Sequence, residues 1–229
     1  CFGIRNGGNG RIGRSPWPPQ RVIHLSRLVR KDVTGNVSSE RVYVNKYGQT
    51  AKMNVSRIGD KTLREEAPPL GTVRWLGLDP GLAILRWAVL EGEDDLETRL
   101  VDYGTIETGK KKAVSERLWE LEQDLVALMK EFTPTDVAVE IPLLNNTYPS
   151  TTGVLKAIAV IELVCYRELG LIPVHLYPAQ WKGHLGNGRA EAEEVNETLS
   201  LLFDLAVSAS VRLDAIGIAY AGCCGVGQS

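Results

Sequence analysis

The sequence lacks the cysteine and histidine spacings of a structural zinc site. Its four cysteines include no Cys-x-x-Cys pair, and its three histidines stand apart from one another. Long apolar runs are also absent, since none reaches the ~20 residues of a membrane-spanning helix. These absences predict a protein of a reducing compartment, without structural zinc, disulfides or a membrane partner.

Acidic residues are missing from the first 31 positions, and this absence marks a division of the chain. Residues 1–70 contain 13 Lys and Arg against 5 Asp and Glu, whereas residues 71–229 contain 13 against 23. We therefore predict a basic, weakly structured N-terminal extension with a linker over residues 1–70, followed by an acidic domain over residues 71–229.

The extension has three competing interpretations. It is a disordered arm that contacts nucleic acid, a targeting segment, or upstream translation before a start at Met53, which would leave 177 residues. Residues 21–30, 40–47 and 51–58 are rich in β-branched side chains and separated by turn-forming residues, so a small hairpin is also predicted there.

From Thr72 onward, apolar periodicities predict a regular succession of strands and helices. We expect strands at residues 73–79, 84–90, 99–106, 136–140 and 171–176. We expect helices at residues 113–132, 150–169, 190–203 and 211–221, and a loop at residues 178–189. This order is typical of an α/β domain with a mixed central sheet flanked by helices.

The first of these strands ends at an acidic residue, Asp79. Pro80 and Gly81 follow it, so the carboxylate is held at the strand end before the chain turns. An ionised carboxylate beside a buried strand is costly unless a cation or a metal ion lies near it. The residues alone leave two explanations open, a turn-forming Asp and a functional acid.

Two further acids occupy comparable positions. Glu140 ends the predicted strand at residues 136–140, and Asp214 lies in an otherwise apolar helix. Either one alone is more often a cap or an ion-paired residue. Three such acids in one domain would suit Mg²⁺, which prefers carboxylate oxygens, and a pair of such ions could promote phosphodiester cleavage.

Four motifs carry a resemblance to a known family. They are Leu-Gly-Leu-Asp-Pro-Gly at 76–81, Val-Ala-Val-Glu at 137–140, Trp-Lys at 181–182 with Gly-Asn-Gly-Arg-Ala at 186–190, and Leu-Asp-Ala-Ile-Gly-Ile-Ala at 213–219. In order and approximate spacing they resemble the RuvC-type Holliday junction resolvases, the crossover junction endodeoxyribonucleases of bacteria, cyanobacteria included. The resemblance covers about residues 72–222.

This resemblance implies an RNase H-like fold and a homodimer that nicks four-way DNA junctions in recombination and repair, leaving 5′-phosphate ends. It implies Mg²⁺ as the cofactor, with Mn²⁺ as a substitute, and a branch-migration helicase as a further partner. It assigns metal binding and catalysis to Asp79, Glu140 and Asp214. The expected location is the cytoplasm, at the nucleoid, and an organelle stays open because the first thirty residues are poor in acids.

The resemblance also assigns contacts with the DNA. Lys182 resembles the lysine that meets a phosphate near the scissile bond, and Arg189 is the nearby candidate for a second basic contact. The segment after the glutamate inserts into the junction in the family. In this chain it contributes Leu143 and Leu144, which predicts an apolar wedge.

One position departs from the family pattern. The family places a fourth metal ligand, Asp or His, three residues before the last acid, where this chain has Val211. Ser210 and Asp204 are the nearby candidates to replace it. Three functions therefore stay open: an active junction nuclease, a junction-binding protein with weakened or lost catalysis, and an RNA-processing nuclease of the same fold.

Overall fold

The computed structural model describes residues 26–31, 37–44, 50–52, 55–57, 72–92, 98–143, 149–206 and 211–227. The chain divides into two units, residues 1–53 and residues 54–229. The interpretations that concern residues 1–25 and a start at Met53 lie outside the described residues and stay predictions.

The first unit contains a three-stranded antiparallel sheet. Its strands are β1 (Ser26–Lys31), β2 (Val37–Val44) and β3 (Thr50–Lys52), and β2 is the middle strand. Ser26 lies opposite Val42 in the first pair. The strands overlap the three segments in which β-branched residues predicted a hairpin.

The second unit is built on a six-stranded mixed sheet. Its strands are β4 (Val55–Arg57), β5 (Arg74–Asp79), β6 (Ile84–Glu91), β7 (Arg99–Glu107), β8 (Asp136–Glu140) and β9 (Val174–Leu176), in the spatial order β4-β7-β6-β5-β8-β9. Pairs are antiparallel from β4 to β5 and parallel from β5 to β9. The predicted mixed sheet is confirmed.

Five helices accompany this sheet in the described part of the chain. They are α1 (Val114–Phe132), α2 (Pro149–Leu169), α3 (Pro178–His184), α4 (Ala192–Leu202) and α5 (Asp214–Cys223). Within the described ranges, no helix has the length and hydropathy that a membrane span requires.

Helices cover both faces of the central strand β5, because its successive side chains project to opposite faces of the sheet and pack in two different apolar clusters. Leu76 and Leu78 pack in one apolar cluster with α1 and α2, and Trp75 packs on the opposite face in a second cluster with α5. Successive side chains of a strand point to opposite faces, so a strand buried on both faces is apolar throughout. The residues of β5 between Arg74 and Asp79 have this character, and the two charged residues lie at its ends.

Two details of the second unit differ from the sequence predictions. The strand β4 pairs with β7, so residues 55–57 belong to the second unit, although the predicted domain boundary lies between residues 70 and 71. The predicted loop at residues 178–189 is wrong for its first half, which forms α3. Pro178 opens this helix, and the Gln180 side chain accepts a 2.8 Å hydrogen bond from the backbone N–H of Tyr177.

Candidate active site

Asp79 and Glu140 lie side by side at one edge of the central sheet. They are the last residues of β5 and β8, which run parallel with Leu78 opposite Val139. The carboxyl ends of neighbouring parallel strands open onto the same edge, where α/β proteins usually bind their ligands. The strand pairing therefore juxtaposes two acids that are 61 positions apart in the sequence.

The third acid, Asp214, is brought to this edge by α5. The helix begins at Asp214 and packs directly against β5, where Gly77 leaves room for it. Asp214 is buried, and its charge acts on both Asp79 and Glu140. The structure thus places the three sequence-predicted acids in one electrostatic cluster.

Burial and repulsion from neighbouring acids raise the pKa values of Glu140 and Asp79. Burial raises the pKa of Glu140 to about 7, and the charges of Asp79 and Asp214 add to the effect, whereas Trp181 and Lys182 oppose it. The pKa of Asp79 is also raised, chiefly by burial, although Arg86 lies beside it. Glu140 is therefore partly protonated near neutral pH.

Each of the three carboxylates accepts a hydrogen bond from a neighbouring side chain. Asp79 Oδ2 accepts from Arg86 Nη1 at 2.9 Å, and Glu140 Oε2 accepts from Trp181 Nε1 at 2.7 Å. Arg212 donates to both oxygens of Asp214, at 2.9 and 3.1 Å. The hydrogen bond to Asp214 is the main cause that raises the pKa of Arg212.

Some of the carboxylate oxygens that a metal ion would bind accept hydrogen bonds from side chains of the chain itself. Carboxylate oxygens are the ligands that a hard divalent cation prefers. Yet in the described part of the chain no group of three His, Cys, Asp or Glu side chains is arranged to hold one. The donor chemistry suits a metal ion, but the arrangement does not, and the assignment of the three acids as ligands stays a prediction.

Lys182 lies beside the acid cluster, in α3. Its Nζ donates a 2.8 Å hydrogen bond to the carbonyl of Ala190 and lies 5.5 Å from the centre of the Trp181 ring. Its charge is close enough to oppose the rise in the pKa of Glu140. Arg189 is exposed in the loop that follows α3. Their assignment to DNA contacts stays a prediction.

The predicted wedge follows Glu140 directly. Leu143 is exposed, with 58% of its surface accessible, in the segment after β8. Leu144 lies outside the described residues. An exposed leucine beside an acidic cluster is compatible with the predicted insertion, which stays a prediction.

Val211 takes part in packing rather than in the cluster of acids. Its side chain packs against the apolar cluster around α5, and its carbonyl accepts a 2.6 Å hydrogen bond from Asn196 Nδ2. Of the two candidates to replace the missing ligand, Ser210 lies outside the described residues. Asp204 is exposed at the end of α4, with a positive φ of 51°.

Sequence reasoning missed four residues that shape the site: Arg86, Trp181 in its role as a hydrogen-bond donor, Asn196 and Arg212. Arg86 had a detectable signal, because β5 and β6 form a hairpin in which Asp79 and Arg86 lie opposite each other. Arg212 lies two positions before Asp214, a spacing that permits a local ion pair. Asn196 and Trp181 had no local signal, because their partners lie at least 15 positions away.

Residues 75–222 match the family model of crossover junction endodeoxyribonuclease RuvC. All three acids lie within this segment, at the sheet edge described above. The chain belongs to the RuvC family. The predicted family and its RNase H-like fold are thereby confirmed. RuvC nucleases are divalent-metal-dependent enzymes, although the family match does not identify the ion.

Individual RuvC proteins agree with this assignment. The chain is 49% identical to RuvC of Synechocystis sp. over 156 residues, which are 67% of this chain and 92% of that protein. It is 33% identical to RuvC of Alkaliphilus metalliredigens over 135 residues, 57% of this chain and 79% of that one. Thermus thermophilus RuvC in complex with a Holliday junction substrate shares the fold, with a TM-score of 0.59 and 24% identity over 65% of this chain and 92% of that chain.

Proposed function

We propose that this RuvC-family chain is an endonuclease that nicks four-way DNA junctions in recombination and repair. The observation that carries the proposal is the convergence of Asp79, Glu140 and Asp214 at one sheet edge, inside the segment that matches the family. The names of its relatives and the junction bound to the Thermus thermophilus protein support the substrate.

A substrate panel tests this function. The purified protein is incubated with a synthetic four-way junction, a linear duplex of the same sequence and a structured RNA, and the products are resolved on a denaturing gel. We expect symmetric nicks in the junction alone. Asp79→Asn should abolish nicking while junction binding, measured by gel shift, persists. Preferential cutting of the RNA would favour the RNA-processing alternative.

The proposed cofactor is Mg²⁺, with Mn²⁺ as a substitute, and the proposed ligands are the three carboxylates. The divalent-metal dependence of the family and the oxygen-rich donor set support this choice. Chelation with EDTA should stop nicking, and titration of Mg²⁺, Mn²⁺ and Ca²⁺ back into the reaction identifies the ion. Nicking in EDTA would contradict the proposal.

The proposed DNA contacts are Lys182 and Arg189, with Leu143 and Leu144 as an apolar wedge. Cationic side chains beside an acidic cluster allow a phosphate backbone to approach it, because they offset the repulsion between carboxylates and phosphates. Lys182→Ala should weaken junction binding and flatten its salt dependence, whereas Leu143→Ala should leave the salt dependence unchanged.

The protein is proposed to act as a homodimer, since symmetric nicking needs two active sites. One face of α2 presents apolar side chains to solvent: Leu155, Leu163 and Tyr166 are all exposed. Residues three, four, seven or eight apart share a helix face, so these three form one stripe. Leu163→Glu should yield a monomer in analytical ultracentrifugation, whereas Leu201→Glu, an exposed leucine on α4, should not.

A second candidate function is junction binding with weakened catalysis, and Val211 favours it. Valine offers no oxygen where the family has its fourth ligand. If this missing ligand limits the rate, Val211→Asp should raise nicking strongly while junction affinity stays unchanged. Equal nicking by both proteins would reject this explanation. Association with a branch-migration helicase and a nucleoid location stay predictions.

A further inference from the structure

Arg86 faces Asp79 because of the strand register, not through a chance surface contact. The two residues are directly opposite in the antiparallel pair of β5 and β6. Opposite residues of such a pair project to the same face and can contact each other. The resulting ion pair, 2.9 Å between Nη1 and Oδ2, is partly buried, so it is screened less than a surface pair.

Arg212 holds Asp214 in a tighter arrangement. Two nitrogens of its guanidinium group each donate to a different carboxylate oxygen, so both oxygens are engaged. Such bidentate pairs are among the strong hydrogen bonds of proteins. The Asp214 side chain is 8% exposed while that of Arg212 is 44% exposed, so the cation covers the acid from the solvent side.

Positive charges of the chain act on all three acids. Arg212 also interacts electrostatically with Asp79, and Lys182 with Glu140. Three carboxylates thus face three cationic groups supplied by the chain itself. A divalent ion that binds Asp214 must take oxygens already engaged by Arg212, and one that binds Asp79 must approach the charge of Arg86.

We propose that Arg86 and Arg212 are built-in competitors of the divalent ion. As positioning residues, they hold the Asp79 and Asp214 carboxylates in a closed, self-neutralised arrangement, which the metal must open by displacing the guanidinium groups. This inference rests on the proposed function, since it concerns the ion at that same site.

Val211 weakens the binding of the metal ion relative to the ion pairs of the two arginines. A fourth carboxylate at that position would add negative charge and a ligand for the ion. Without it the metal gains less on binding, while each arginine keeps its own partner. The proposal therefore predicts that metal affinity rises when an arginine is removed, whereas a purely structural role of the ion pairs predicts unchanged or weaker affinity.

The experiment measures Mn²⁺ affinity of the full chain in the absence of DNA, by titration calorimetry and by the electron paramagnetic resonance signal of free Mn²⁺. The variants are Arg86→Gln and Arg212→Gln, singly and together. Each single variant should bind Mn²⁺ about fivefold more tightly or better, a usual size for coupling between two binding events. Arg86→Lys should stay near the wild type because it keeps the competing charge.

Arg99→Gln is the matched control. Arg99 pairs with Glu91, which also pairs with Arg74, so this variant removes a guanidinium without leaving its partner alone. Its Mn²⁺ affinity should equal that of the wild type. Thermal melts without metal verify that every variant folds. If Arg86→Gln proves unstable, Arg212→Gln still tests the proposal, because Arg212 is the more exposed arginine.

The outcomes separate this inference from the proposed function. Tighter binding in the arginine variants, with binding lost in Asp79→Asn, supports both. Unchanged or weaker binding in the arginine variants, with binding lost in Asp79→Asn, overturns the competitor proposal and leaves the metal site intact. Binding by Asp79→Asn equal to that of the wild type overturns the site assignment and the competitor proposal with it.

Discussion

Gly77 and Ala219 lie where β5 and α5 are in close contact, since a Cβ atom at Gly77 would lie 2.5 Å from the backbone nitrogen of Ala219 and closer still to the carbonyl oxygen of Ala215. No side chain fits in that space unless the helix moves. Because α5 begins at Asp214, this close contact also fixes where the third acid lies relative to the sheet edge.

We predict that Gly77→Val destabilises the protein by at least about 3 kcal/mol, because overpacking against a backbone cannot be relieved by a rotamer change. Urea denaturation followed by circular dichroism measures the loss. Gly153→Ala is the control: its Cβ would make an ordinary 3.5 Å contact with Leu82, and alanine is the better helix former. A loss in the control equal to that of Gly77→Val would contradict this explanation.

Trp181→Phe should raise the pKa of Glu140 above about 7, the value it has with the indole in place. The indole N–H stabilises the ionised carboxylate, and phenylalanine cannot donate this hydrogen bond. A carbon-13 NMR titration of the glutamate carboxyl groups measures the shift. Trp119→Phe, on the exposed side of α1, should leave the titration unchanged. An unaltered midpoint in Trp181→Phe would show that the hydrogen bond has no electrostatic role.

The stability of the metal-free protein should fall as the pH rises from about 4.5 to about 7, and Glu140 should cause the fall. Its pKa is 4.5 ordinarily and about 7 in the folded protein, so the folded state binds more protons in this window. Linkage then removes up to about 3 kcal/mol of stability across it. Urea denaturation in EDTA at several pH values measures this. Glu140→Gln should lose this component of the pH dependence; an identical pH profile for both proteins would contradict the assignment.

Asn196→Ala should destabilise the protein by about 1–3 kcal/mol, because two buried or partly buried backbone groups lose their partner. Asn196 donates to the carbonyl of Val211 and accepts a 3.1 Å hydrogen bond from the N–H of Leu213. These bonds clamp the segment that leads into Asp214, so nicking should fall as well. Asn187→Ala removes hydrogen bonds that are exposed and should change stability by less than about 0.5 kcal/mol. Equal effects in thermal melts would refute the clamp.

Much of the site could be predicted because its signals are local. Asp79 and Glu140 end apolar strands, and the carboxyl ends of parallel strands meet at one edge whatever the rest of the chain does. Asp214 stands out as a lone acid in an apolar helix. The strand and helix periodicities likewise predicted most of the second unit. The exceptions are β4, which the sequence assigned to the extension, and α3, because a short Gly-containing helix has no clear periodicity.

The sequence by itself determined the family, the order of strands and helices, and the three acids that share one sheet edge, since each of these depends on short-range patterns. Only the tertiary structure decided what those acids contact. The register of β5 and β6 places Arg86 on Asp79, the packing of α3 on α5 aims Trp181 at Glu140, and Asn196 holds the segment before Asp214. The contacts of Trp181 and Asn196 join elements that are remote in sequence, and no local pattern encodes the distances between them, whereas the hairpin of β5 and β6 gives Arg86 a local signal.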